Sequence, residues 1–126
     1  MPSNYLAQIR ALLDSYARAD FVLDVSVNSE TRPGDQAYLA GAMMFVDGSE
    51  LHFAEFLDIS AQTVEKLMYR YHYQDQAGQL VFRFDNARHQ PQISSLSHKH
   101  LPGQIEASTT PSLEDVLAEI TTVLVR

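Results

Sequence analysis

Apolar positions recur in the first eighteen residues at Leu6, Ile9, Leu13 and Tyr16, the spacing that brings side chains onto one face of a helix. With Ser3 or Asn4 in front to cap the first free amides, this predicts an amphipathic helix over residues 3–18. From Phe21 the period changes to two. Phe21, Leu23, Val25 and Val27 alternate with Asp24, Ser26 and Asn28, as a half-buried strand requires, until the turn chemistry of Arg32, Pro33, Gly34 and Asp35 ends it. Residues 37–46, AYLAGAMMFV, are apolar on both alternating sets and predict an interior strand covered on both sides. The Asp47-Gly48 pair that follows reads as a two-residue hairpin turn with positive φ at both positions. Such a turn sets Met44 opposite Leu51, Ala42 opposite Phe53 and Ala40 opposite Glu55, so that Glu55 stands alone in an apolar row.

A second hairpin is predicted between Leu67 and Asn86. Tyr69, Tyr71 and Tyr73 alternate with Arg70, His72 and Gln74, and Leu80, Phe82 and Phe84 alternate with Val81, Arg83 and Asp85. A four-residue loop at 75–78 pairs Tyr73 with Leu80, Tyr71 with Phe82 and Tyr69 with Phe84; a slip of one residue would set tyrosines against charges. In this register Arg70, His72, Arg83 and Asp85 share the opposite face. Residues 87–103 show little apolar periodicity and read as a long surface loop with a short extended piece near Leu101. Thr110 as cap and Pro111 at the first position then open a helix carrying Leu113, Val116, Leu117, Ile120 and Leu124 on one stripe. The expected fold is α+β: an antiparallel sheet of four to six strands, with N- and C-terminal helices packed on one face, in one domain spanning residues 1–126.

Composition narrows the functional classes. There is no cysteine, hence no disulfide framework, thiolate metal site or cysteine nucleophile. The N-terminus lacks the basic start and apolar run of a secretory signal, and no segment has the length of apolar residues that spans a membrane, so a soluble, cytoplasmic protein without membrane contact is expected. The net charge of -7 opposes nonspecific attraction to phosphate polymers. Residues 83–103 run against that balance, with two arginines and one lysine facing the single acid Asp85.

The same stretch holds three of the five histidines, His89, His98 and His100. In an extended His98-Lys99-His100 segment the two imidazoles fall on one side and the lysine on the other. A metal reading takes the three histidines with Asp85 as ligands. It lacks an HExxH helix, and Arg83, Arg88 and Lys99 would repel a dication, so neither metal nor cofactor is expected. A phosphate reading uses the residues more fully: metal-free phosphodiester cleavage needs a base, an acid and cations for the developing charge, which paired histidines with Arg and Lys supply. Here Arg83 and Lys99 bind phosphate, beside Arg88. His98 or His100 acts as base and His89 as acid, while Asp85 and Asn86 orient the set. Tyr71 and Tyr73 read first as strand packing and second as stacking platforms for bases. Glu55 reads as the partner of a basic residue or as a proton carrier with a raised pKa.

The segment YRYHYQDQAGQLVFRFDNARHQPQISSLSHKHLPG, Tyr69 to Gly103, resembles the TumE family of small bacterial toxins encoded beside an antitoxin. The shared order is a Tyr-rich strand (Tyr71, Tyr73), an acidic and glycine turn (Asp75, Gly78), an Arg-aromatic-Asp-Asn segment (Arg83 to Asn86), His89, and the HKH stretch His98 to His100. Chain length and the C-terminal leucine-rich helix agree. Phe84 stands where tyrosine is usual, and Ser97 where proline or histidine is expected; the charged groups are intact. The resemblance implies a toxin acting on RNA, presented by the ribosome or free, with a cognate antitoxin as partner. Three readings follow: a metal-independent ribonuclease, a noncatalytic protein- or ligand-binding module, and a metal-dependent hydrolase. The sequence does not decide whether the chain self-associates.

Overall fold

A computed structural model of the chain describes residues 2–60, 64–86 and 97–125. Seven antiparallel strands follow one another in sheet order as they do in sequence: β1 (Val22–Arg32), β2 (Gln36–Phe45), β3 (Glu50–Asp58), β4 (Glu65–Gln74), β5 (Leu80–Asp85), β6 (His98–Leu101) and β7 (Gln104–Ala107). Helix α1 (Pro2–Ala17) precedes the sheet and α2 (Leu113–Leu124) follows it. Ile9 and Leu13 of α1 and Leu113, Val116, Leu117 and Ile120 of α2 join Leu39, Met43, Phe53, Tyr71, Tyr73, Phe82 and Phe84 in one buried cluster. Both helices therefore cover the same face, here called the inner face. The outer face carries the alternate residues of each strand.

The α+β class and the terminal helices match the expectation, but the sheet has seven strands, not four to six. Of the last two strands, β6 falls on the extended piece expected near Leu101 at the end of the segment read as a loop, and β7 on residues 104–107, to which no element was assigned. His98–Leu101 and Gln104–Ala107 pair around a Pro102-Gly103 turn, with Gly103 at φ 79°. Four-residue strands with mostly polar side chains leave no apolar alternation to detect.

Local irregularities shift the registers. Between β2 and β3 the loop has three residues, Val46–Gly48, closed by hydrogen bonds from the Phe45 amide to the Ser49 carbonyl and from the Gly48 amide to the Phe45 carbonyl, both 3.0 Å. Gly48 alone takes positive φ, at 85°, as in a type I turn followed by a glycine bulge. The odd loop length moves every pair by one from the expected register, to Met43↔Leu51, Gly41↔Phe53 and Leu39↔Glu55, and so keeps the apolar residues of both strands on one face. In the β4–β5 hairpin the loop runs over 75–79, one residue longer than expected, and a bulge between Tyr73 and Gln74 adds another, so the pairing slides by two, to Tyr73↔Phe82 and Tyr71↔Phe84. A slide of two preserves the faces, so aromatics still oppose aromatics. At the start of β1 the register breaks between Val22 and Asp24, which buries Val22 and leaves Leu23 67% exposed.

On the inner face of β2 Ala37, Leu39, Met43 and Phe45 are buried, whereas Tyr38, Ala40, Ala42 and Met44 on its outer face are only half-buried, so the strand is covered on one side. Helix α2 starts two residues later than predicted: Ser112 is the cap, forming a reciprocal capping box with Asp115. Pro111 instead lends its carbonyl to Lys66, 2.8 Å away.

Candidate active site on the outer face of the sheet

Cross-strand pairing aligns the outer-face side chains in rows. One row runs Ala40, Ala54, Arg70, Asp85, His98 across β2 to β6; the next runs Ala42, His52, His72, Arg83, His100. Four of the five histidines therefore stand on two adjacent rows with two arginines and one aspartate. Lys99, one residue out of phase, is turned to the inner face. There its ammonium sits 3.0 Å from Glu119 of α2 and about 5 Å from the ring centres of Phe82 and Phe84 (5.5 and 5.0 Å).

Asp85 is the centre of the cluster and is only 2% exposed. Its Oδ2 lies 3.0 Å from Arg83 Nε and 3.3 Å from His100 Nε2, and its Oδ1 lies 3.8 Å from His98 Nδ1. The two imidazoles stand edge to face, 6.3 Å apart. His98 is buried, while the side chain of His100 retains 16% exposure and that of Arg83 38%. A carboxylate withdrawn from water thus anchors one buried imidazole and two groups that reach solvent, the geometry in which a histidine can exchange protons while its orientation is held.

One ligand atom from each of Asp85, His98 and His100 falls within 4.8 Å of the other two. Two imidazoles and a carboxylate on one side are a donor set that suits zinc or iron. Arg83 already neutralises part of the Asp85 charge at 3.0 Å, and a bound cation requires that guanidinium to swing toward solvent.

His52 and His72, in the row that also holds Arg83 and His100, were not chosen as site residues from the sequence. His52 and His72 face one another directly across β3 and β4, and His72 faces Arg83. His52 is paired to Glu50 at 2.8 Å and His72 to Gln74 at 3.1 Å. Partial burial, with Arg83, His52 and Arg70 nearby, holds the His72 pKa below the usual histidine value against the opposing effect of Gln74. Alternation within Leu51-His52-Phe53 and Tyr71-His72-Tyr73 does mark both as outer-face residues. The predicted hairpin already set His72 on one face with Arg83; the approach of His52 and His100 depends on strand order.

Of the residues chosen from sequence, the structure brings together Asp85, His98, His100 and Arg83. Asn86 is at the edge of the group, where its side chain extends the sheet past the end of β5: its Oδ1 accepts from the Tyr69 amide at 3.0 Å and its Nδ2 donates to the Leu67 carbonyl at 3.1 Å. Tyr71 and Tyr73 lie on the inner face, fully buried. Arg88 and His89 lie outside the described residues.

Glu55 takes its place in a separate buried network on the inner face. Its carboxylate, fully buried, accepts hydrogen bonds from Tyr5 of α1 at 2.5 Å and from Tyr71, and Lys66 Nζ lies 3.5 Å from it while donating to the Tyr71 hydroxyl at 2.5 Å. Lys66 is there because of a bulge. Phe56 pairs with Met68 but Leu57 pairs with Lys66, so the extra residue Leu67 turns Lys66 from the outer to the inner face. Burial raises the Tyr5 and Tyr71 pKa values well above the ordinary phenol range, reinforced by the Glu55 charge, and lowers that of Lys66 against the pull of Glu55. This network ties α1, β3, β4 and the entry to α2 together.

Residues 9–125 match the family model described as Toxin TumE. The chain belongs to the TumE toxin family. The match runs from the middle of α1 through α2, so it takes in the outer-face cluster and Glu55, Lys66 and Tyr71 of the buried network, but not Tyr5. Neither the curated proteins nor the solved structures contain a match to the chain. Among the described residues no helix is long and apolar enough to cross a membrane.

Proposed function

We propose that this member of the TumE family is a toxin that cleaves RNA on the outer face of its sheet. The observation that carries the reading is the convergence of His98, His100 and Arg83 on the buried carboxylate of Asp85. Arg83, reaching solvent, holds the scissile phosphate. His100, the imidazole of the trio with the greater exposure, takes the proton of the ribose 2′-hydroxyl, whose oxygen then forms a bond to phosphorus. The bond from phosphorus to the 5′-oxygen breaks, and that oxygen receives a proton from a complementary acid, the role the sequence assigns to His89. Asp85 and His98 act as positioning residues, fixing the His100 ring and compensating the imidazolium as it forms. The products are a 2′,3′-cyclic phosphate and a 5′-hydroxyl. A cognate antitoxin neutralises the toxin by covering this face, where its own acidic groups would find Arg70 and Arg83.

The deciding experiment is expression of the chain in bacteria without a partner gene, with total RNA examined for new 5′-hydroxyl ends. Arrest with cleavage in wild type, and neither in a folded His100→Gln variant, is the expected outcome. Arrest that persists in that variant overturns the assignment. A harmless wild type favours the binding module instead. The close spacing of the Asp85, His98 and His100 ligand atoms supports a second reading, a metal-assisted hydrolase, which predicts stoichiometric metal in the purified protein and activity lost to a chelator and restored by zinc or manganese.

A further inference from the structure

Beside the cluster, toward β2 on the same face, the rows open into a trough that bears on what the toxin grips. Ala54 lies on its floor. Tyr38, Phe56 and Met68, aligned across β2, β3 and β4, form one wall, and Arg70, Arg83 and Asp85 form the other end. The trough encloses about 440 Å³, within the range of roughly 300–1,000 Å³ of small-molecule sites. From β2 to β5 it extends about 14 Å at a strand spacing of roughly 4.8 Å, ending at the carboxylate that anchors His100.

We propose that this trough binds a single-stranded RNA segment, seating a base against Tyr38, Phe56 and Met68 and delivering the adjoining phosphate to Arg70 and Arg83. The inference rests on the cleavage reading and adds to it the form of nucleic acid recognised. Three features favour this occupant. The wall combines two aromatic rings with Met68, which is 62% exposed, and Arg32 lays its guanidinium over both rings, 5.4 and 5.8 Å from their centres. Aromatic faces and guanidinium planes are the surfaces on which unstacked bases rest. Three arginines line the trough in a chain of net charge -7. Glu55, although it borders the trough, points its carboxylate to the inner face, where Tyr5 and Tyr71 hold it. A duplex keeps its bases stacked inside and cannot lower one onto the alanine floor, whereas a single strand can.

The test uses full-length protein carrying His100→Gln, so that the probe stays intact. Binding of a short fluorescein-labelled RNA strand, alone and annealed to its complement, is followed by anisotropy. The single strand is expected to bind roughly ten-fold more tightly than the duplex, the lower part of the range for one stacked base. Tyr38→Ala should weaken it by a similar factor. Met68→Glu and Arg70→Ala alter exposed side chains that leave the core untouched; the first should weaken binding several-fold, and the second should reduce the slope against log salt by about one. Equal affinity for both RNA forms, or unchanged binding by both exposed-site variants, overturns the proposal. If wild type cleaves RNA while Met68→Glu binds and cleaves like its parent, the trough assignment falls and cleavage stands. Trough-dependent binding by a protein that cleaves nothing has the reverse meaning.

Discussion

Replacing Glu55 by Gln tests whether the buried network is what fixes α1 and the α2 entry to the sheet. The carboxylate is fully buried and receives two phenolic hydrogen bonds and the Lys66 ammonium, whose side chain is 14% exposed. Gln conserves the shape but removes the charge. Each phenol then exchanges a bond to a charged acceptor, about 1.5–3 kcal/mol, for a neutral one of about 0.5–1.5 kcal/mol. Lys66 loses its counter-charge, and breaking a buried pair from one side costs about 3–5 kcal/mol. These contributions overlap because the groups touch, so we expect a total loss of about 3 kcal/mol or more, a large share of the roughly 5–15 kcal/mol of an ordinary domain. Urea unfolding followed by circular dichroism measures it as a fall in midpoint at constant slope. Lys66→Met should also destabilise, by stranding the carboxylate. The double variant should lose at least about 2 kcal/mol less than the sum of the singles, because each removes the charge the other leaves unpaired. A Glu55→Gln loss under about 1 kcal/mol, or single-variant losses that simply add, would refute the reasoning.

Other outcomes follow from the same structure. Gly41→Ala should destabilise by about 1–3 kcal/mol, because the added methyl would come within 2.5 Å of the Ser26 carbonyl oxygen and 2.6 Å of the Phe53 ring; a thermal melt unchanged from wild type would contradict that packing. Ser112→Ala should cost about 1 kcal/mol of stability by breaking the capping box at α2. That cap also has an acid signature. Its hydrogen bonds from Ser112 hold the Asp115 pKa below the ordinary aspartate value of about 3.9, so its contribution is complete above that pH and fades as pH falls through the folded-state value, a dependence that Asp115→Asn should abolish. The His72 pKa lies below 6.5 in the folded state. The unfolded chain therefore takes up the proton first as pH falls, and stability is full above about 6.5 and declines below it; His72→Gln should lose less stability than wild type between neutral and mildly acidic pH, measured by urea midpoint.

Alternation and helical spacing in this chain determined the two helices, the first five strands and the face on which most of their residues lie. They separate Tyr71 and Tyr73 from His72, place Arg83 with Asp85, and set His98 and His100 on the side opposite Lys99, because strand side chains alternate whatever the register. Register and strand count were decided in three dimensions. A glycine bulge in place of a two-residue turn moved the β2–β3 pairing by one, and the unpaired Leu67 carried Lys66 to the inner face, where it meets Glu55. No pattern within one strand records such single-residue insertions, since they are selected by how two strands bury their apolar faces together. The candidate site shows the same division. Its histidines and arginine can be read from the chain, and the hairpin sets His72 on one face with Arg83 and Asp85, but the approach of His98 and His100 to Asp85, the addition of His52, and the trough beside them arise from a sheet order that only long-range pairing sets.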